Sequence, residues 1–165
     1  MAKISGGVEN NMRRSHSLRT NESGVIFGSL SKGMDLMEGI LKECENHGIK
    51  SGYVSCIGSL KKAGYVLFKT IDGEPSGYGH DLTVNNPVEL VNGNGFICED
   101  ENGMLDLHLH GIVVEENGKI SAGHFVRGGN PTLITVEFSI IEGEDVKAKR
   151  TFHEELGFKV IDFSK

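Results

Sequence analysis

The stretch LDLHLHGIVVEENGKISAGHF, residues 105–125, carries the pattern that decides how this chain folds. Apolar and polar residues alternate from Leu105 to His110, the period of a strand with one face buried. Leu105, Leu107 and Leu109 point one way, and Asp106, His108 and His110 point the other. A second β-forming run, 120–125, follows Glu116-Asn117-Gly118, so the two runs read as an antiparallel hairpin. Two imidazoles at i and i+2 on one strand face can converge on a single metal ion. Whether His124 joins them depends on the register. A two-residue loop at Asn117-Gly118 sets Gly111 opposite His124 and turns His124 away. A three-residue loop, with Gly118 in the left-handed bulge position, pairs Glu115 with Lys119 and sets His110 opposite His124 on the same face. It also sets Ile112 against Ala122, Val114 against Ile120, Gly111 against Gly123 and Leu109 against Phe125. Both faces are coherent only in the three-residue register, which is the one predicted.

Three imidazoles converging from two adjacent strands suit Zn²⁺ with a fourth position open. An open position belongs to a catalytic or ligand-binding site, where the ion can polarise a carbonyl oxygen or acidify a bound water. His108, His110 and His124 are therefore the predicted metal ligands. Asp106 shares their face and is a candidate to orient an imidazole. The competing reading is three hydrogen-bonded core histidines. Glu89 and Glu137 lie within β-forming segments and are candidates for a general acid or base beside the metal, against a solvated face or a subunit salt bridge. His16, His80 and His153 have no neighbours at ligating spacing, and no glycine-rich phosphate loop occurs.

The chain's 165 residues suffice for one domain with a real core. Its 23 glycines against three prolines imply many tight turns and close strand approaches. A net charge of −6 opposes a broad electrostatic grip on nucleic acid. Cys44, Cys56 and Cys98 are odd in number and widely spaced, so they predict free thiols in a reducing compartment. No apolar run reaches the ~20 residues that span a bilayer. With no signal-peptide pattern at residue 1 onward, the expected location is the cytoplasm.

In chain order, residues 1–14 read as a flexible lead-in and 15–165 as one domain. Lys3, Arg13, Arg14 and Arg19 make the start mildly basic, the composition of a solvated terminus or a phosphate-binding arm. Residues 24–30 predict a strand. One principal helix follows at about 32–47, with Ser31 as N-cap, a stripe of Met34, Leu36, Met37, Ile40, Leu41 and Cys44, and Gly48 as the left-handed stop. From Ile49 onward the pattern is almost wholly β. Strands are predicted at 51–59, 64–71, 88–98 and 131–141, with edge strands at 146–153 and 158–163. Residues 72–77 read as a loop, and Asn102-Gly103 and Asn117-Gly118 as hairpin turns. The glycines of 88–98 predict a bulge or a close backbone approach.

The runs Ile57-Gly58-Ser59-Leu60, Glu89 to Gly95, His108-Leu109-His110, Gly123-His124 and Thr135-Val136-Glu137 together resemble the PPC domain, a family conserved in plants and prokaryotes. The resemblance covers roughly residues 20–163. It implies an α+β fold, a mainly antiparallel and strongly twisted sheet with a helix against it, assembled as a homotrimer. It also implies metal binding at His108, His110 and His124, and an association with DNA in the plant members. The chain departs from the pattern in three places. It has no Arg-Gly-Arg-Pro AT-hook, Ala122 stands where a glycine is expected, and Ser29 stands where a basic residue is expected. The site is similar to the three-histidine zinc arrangement of acetolactate decarboxylase. Two functions follow as expectations: a metal-binding homotrimer serving as a small-ligand or regulatory module, DNA-associated by family likeness, or a small zinc-dependent lyase or hydrolase.

Overall fold

The computed structural model describes residues 14–20 and 24–165. The expected lead-in, residues 1–14, lies outside the described residues apart from Arg14. Strand β1 is His16–Arg19 and β2 is Val25–Ser31, followed by helix α1, Leu36–His47. Then come β3 (Gly52–Leu60), β4 (Ala63–Val66), β5 (Phe68–Ile71), β6 (Glu74–Tyr78), β7 (Leu82–Val84) and β8 (Val88–Asp100). The chain closes with β9 (Leu105–Glu115), β10 (Ile120–Phe125), β11 (Thr132–Glu142), β12 (Lys147–His153) and β13 (Phe158–Ser164). Nine strands form one path in the order β1-β2-β11-β3-β8-β9-β10-β4-β7. Every pairing on that path is antiparallel. The β12–β13 hairpin attaches by a short parallel pairing of β12 with the end of β8, Lys149 beside Glu99 and Arg150 beside Asp100. This is the predicted α+β architecture of a mainly antiparallel sheet carrying one helix.

The helix covers one face of that sheet. Leu36, Met37, Ile40, Leu41 and Cys44 are buried in the same core as Leu107, Leu109, Val136 and Ile140. The helix begins at Leu36, not near residue 32, and its N-cap is Asp35 rather than Ser31. One Asp35 carboxylate oxygen accepts from the backbone N–H groups of Met37 and Glu38 at 3.1 and 3.2 Å. Ser31 stays in β2 opposite Thr135, and Gly33 N–H donates to the Thr132 carbonyl, so sheet pairing delays the helix. Met34, expected in the apolar stripe, lies in this connecting turn. At the far end Gly48 adopts the predicted left-handed conformation, φ 71°.

Two further expectations change. The strand expected at 64–71 divides at Leu67, where β4 stays with the main sheet and β5 leaves to pair with β6. Residues 72–77, expected as a loop, hold only a two-residue turn, Asp72-Gly73 with φ 53° and 87°, and most of β6. The predicted irregularity in β8 is a register shift between Leu90 and Asn92. Gly95 is a close approach: a Cβ there would stand 2.2 Å from the His108 carbonyl oxygen. All three cysteines are free and buried, and burial pushes each thiol up to about 12.

A candidate three-histidine metal centre

The β9–β10 hairpin closes in the three-residue register. Glu115 N–H donates to the Lys119 carbonyl at 2.9 Å, and Gly118 takes φ 82°. His110 then faces His124, Ile112 faces Ala122 and Val114 faces Ile120. Leu107 and Leu109 are fully buried beneath the helix, while Asp106, His108 and His110 occupy the opposite, open face. Phe96 of β8, opposite His108, belongs to that face as well. The sheet pleat thus separates a structural face from a chemical one within six consecutive residues.

His108, His110 and His124 each offer a ring nitrogen, and these atoms lie within 4.8 Å of one another. His108 Nε2 and His110 Nε2 are 3.1 Å apart. A tetrahedral ion with Zn–N distances of about 2.0–2.1 Å sets its ligands roughly 3.3 Å apart, so this pair has the spacing such an ion requires. His124 Nδ1 is buried without a hydrogen-bond partner. Burial, with Arg150 and His110 adding to it, lowers His108 to about 4. Burial, with His108 and Arg150 adding to it, lowers His124 to about 3. His110 is lowered by burial and then by Arg150. All three rings are therefore neutral near pH 7, the protonation state in which imidazole binds metal. The donor set, its spacing and its protonation fit a divalent transition metal.

The other sequence candidates are placed as follows. One oxygen of Asp106 accepts from Arg150 Nη1 at 3.0 Å and the other from Leu107 N–H at 2.9 Å, so its bonds go to Arg150 and the backbone and not to an imidazole. Glu89 is exposed, in register with Ser59 and Val114. Val114 is four residues along β9 from His110, roughly 13 Å at strand rise. Glu137 is exposed on β11 and accepts from Ser29 Oγ at 3.0 Å. β3 and β8 stand between β11 and β9, a separation of about 14 Å at ordinary strand spacing. Neither glutamate is brought to the histidines.

Sequence reading missed the side chains that surround the cluster. The Tyr78 ring lies 5.0 Å from the His124 ring, and Phe158 meets Tyr78 edge-on at 5.2 Å. An apolar cavity of about 410 Å³ borders His110 and His124 between Val66, Phe68, Tyr78 and Phe158. A second cavity, about 510 Å³, borders His124 between Asp106, Arg150, Lys159 and the same two aromatic rings. Tyr78, Arg150, Phe158 and Lys159 come from the β5–β6 and β12–β13 hairpins. Nothing local in the sequence marks them, because only tertiary folding brings those hairpins to β9.

An antiparallel sheet with one covering helix and a histidine triad on its open face defines the class. The chain belongs to the Plants and Prokaryotes Conserved domain family, whose sequence profile matches residues 19–144. Among curated proteins none matches it in sequence. Solved structures share its fold. One is a provisionally DNA-binding protein of Bacteroides thetaiotaomicron, with TM-score 0.78 and 22% identity over 93% of this chain and 100% of that one. The metal-containing protein AF0104 of Archaeoglobus fulgidus has TM-score 0.67 and 19% identity over 90% of this chain and 93% of its own. A plant- and prokaryote-conserved protein of Pyrococcus horikoshii has TM-score 0.68 and 19% identity, covering 93% and 94%.

Proposed function

We propose that this protein is a metal-binding homotrimer whose resident ion, zinc, is held by His108, His110 and His124 and serves as the anchor of a small-ligand or regulatory module. The observation that carries this reading is the convergence of three neutral imidazoles on one open sheet face. The AF0104 relative, named as metal-containing, supports it. A bound ion would supply Lewis acidity at its open position. The protein's own contribution is to hold the rings neutral by burial and to fix His110 and His124 by strand register. The trimer draws support from Phe27, Tyr53, Ile57, Phe96 and Ile141, which stand exposed on neighbouring strands of the open face. Among the described residues no helix is long and apolar enough to cross a membrane.

DNA association comes to this chain only through its relatives, two of which carry provisional DNA-binding names. Its charge of −6 opposes that role. A gel-shift titration against salt tests it: no retardation at low ionic strength removes DNA as a partner. The second reading, a small zinc-dependent lyase or hydrolase, is favoured by the two cavities that border His124. Elemental analysis of purified protein tests the shared premise. Wild type is expected to carry about one zinc per chain and the His108→Ala/His110→Ala variant none, and equal metal in both overturns the site.

A further inference from the structure

The β12–β13 hairpin lies beyond the family match, which ends at residue 144. It nonetheless brings Arg150, Phe152, Phe158 and Lys159 to the cavity beside His124. Arg150 is the unusual member. Its side chain is 9% exposed, so a full positive charge sits almost wholly inside the protein. It donates to Asp106 through Nη1, and its Nε is buried with no acceptor. Burying a guanidinium is costly unless its donors are satisfied, and this one is satisfied only in part. Lys159 and Arg127, at the same cavity, have their own carboxylates, Glu101 at 2.7 Å and Glu38 at 3.7 Å. Arg150 and Asp106 cancel each other and the exposed Asp81 carboxylate of the same cavity offsets one unit, so a divalent ion on the three histidines leaves the site with a net positive charge. The cavity next to it is the space in which an anion would balance that charge. Its walls are mixed, with Tyr78, Phe152 and Phe158 as apolar surface, Asp81 as an exposed carboxylate and Arg150 as the buried cation.

We propose that this cavity is a subsite for a small carboxylic acid with an apolar body. The Arg150 guanidinium receives the carboxylate, and the C-terminal hairpin supplies both the charge and much of the aromatic wall. A planar guanidinium matches the two oxygens of a carboxylate, and a cavity of about 510 Å³ is of ordinary small-ligand size. For its charge balance the inference rests on the metal-centre reading above.

The test is isothermal titration calorimetry on the full chain loaded with zinc, using isobutyrate and benzoate as probes. Isobutyramide and inorganic phosphate serve as the uncharged and the non-carboxylate comparisons. Wild type should bind at least one carboxylate saturably, and neither isobutyramide nor phosphate. Arg150→Gln should weaken that binding at least tenfold while keeping its zinc. Because Arg150→Gln leaves Asp106 without its partner, Asp106→Asn/Arg150→Gln is measured beside it, and it too should lose the carboxylate. Circular dichroism checks that each variant is folded. Equal affinity in wild type and Arg150→Gln means that the metal alone holds the carboxylate and overturns the proposal, as does preferential binding of phosphate. Zinc present with neither carboxylate bound removes the subsite and leaves the metal centre standing. A chain that takes up no zinc yet binds carboxylate through Arg150 upholds the subsite and removes the metal reading.

Discussion

The two faces of β9 make the sharpest contrast in the molecule. Leu107 and Leu109 have no exposed surface and pack in the core under α1, whereas His108 and His110 alternate with them on the face the helix leaves open. The same backbone hydrogen bonds hold both sets, so the histidines inherit their rigidity from the leucines' burial. Stability and ligand placement are thus carried by neighbouring residues, and substitutions on the two faces should separate them. The largest effect belongs to the buried face. Leu109→Ala removes a fully buried side chain and should cost about 2–5 kcal/mol in urea denaturation, within the range of core truncations. A cost below about 1 kcal/mol would mean that the leucine face is not the structural one.

The lid over that face offers the next test. Asp35 caps α1 with one oxygen, and its other oxygen accepts from Asn130 N–H at 2.8 Å, tying the helix start to the loop after β10. Asp35→Ala should cost about 1–2 kcal/mol, the upper range for losing an N-cap, with unchanged zinc content by elemental analysis. Loss of zinc in this variant would show that the two faces are coupled more tightly than the pleat suggests.

How far the contrast was legible in the sequence follows from the range of the forces involved. Alternation along Leu105–His110 and the left-handed Gly118 are local, and together they were enough to place His124 opposite His110. The helix stripe and its Gly48 stop are also local and were readable. The helix start was not, because Ser31 is a good N-cap by type but is held in the sheet by β11, about a hundred residues later. The Asp72-Gly73 turn carried a hairpin signal, but Pro75 and Gly77 next to it suggested a loop. Glu89 and Glu137 had strand-compatible surroundings, yet the strand order, a global property, put them away from the histidines. Arg150 reaches Asp106 across 44 residues of sequence and through a parallel contact with β8, which no local pattern encodes.

On the open face the expected stability effects are smaller. His108→Ala/His110→Ala should abolish zinc uptake while lowering the unfolding free energy of zinc-free protein in urea by no more than about 1 kcal/mol, as for partly exposed positions outside a core. A shift as large as that of Leu109→Ala would show that the histidines are themselves core residues and would break the contrast.

The effect most specific to the site concerns pH in the zinc-free protein. Burial holds His108 at about 4 and His124 at about 3 in the folded chain, against 6.5 for the ordinary group. Between those values the unfolded chain takes up protons that the folded chain refuses, so acid favours unfolding. Stability should therefore be independent of these groups above about pH 7 and should fall as the pH drops from 6.5 toward 4. Carboxylates with depressed values, such as Asp100 and Glu101, lose their contribution at lower pH, so the interval from 7 to 5 isolates the histidines. Urea midpoints at pH 7 and pH 5 should differ in zinc-free wild type and differ less in His124→Asn, which removes the more strongly lowered ring. Zinc should add stability to wild type and not to this variant. The ion binds the neutral rings of the folded state, and burial keeps His108 and His124 largely neutral at pH 5 as well as at pH 7, so adding it raises the midpoint at both values of pH and leaves the pH difference in place. An unchanged midpoint difference in His124→Asn would mean that burial of this ring exerts no control over its proton, and that the open face differs from the leucine face in composition but not in chemistry.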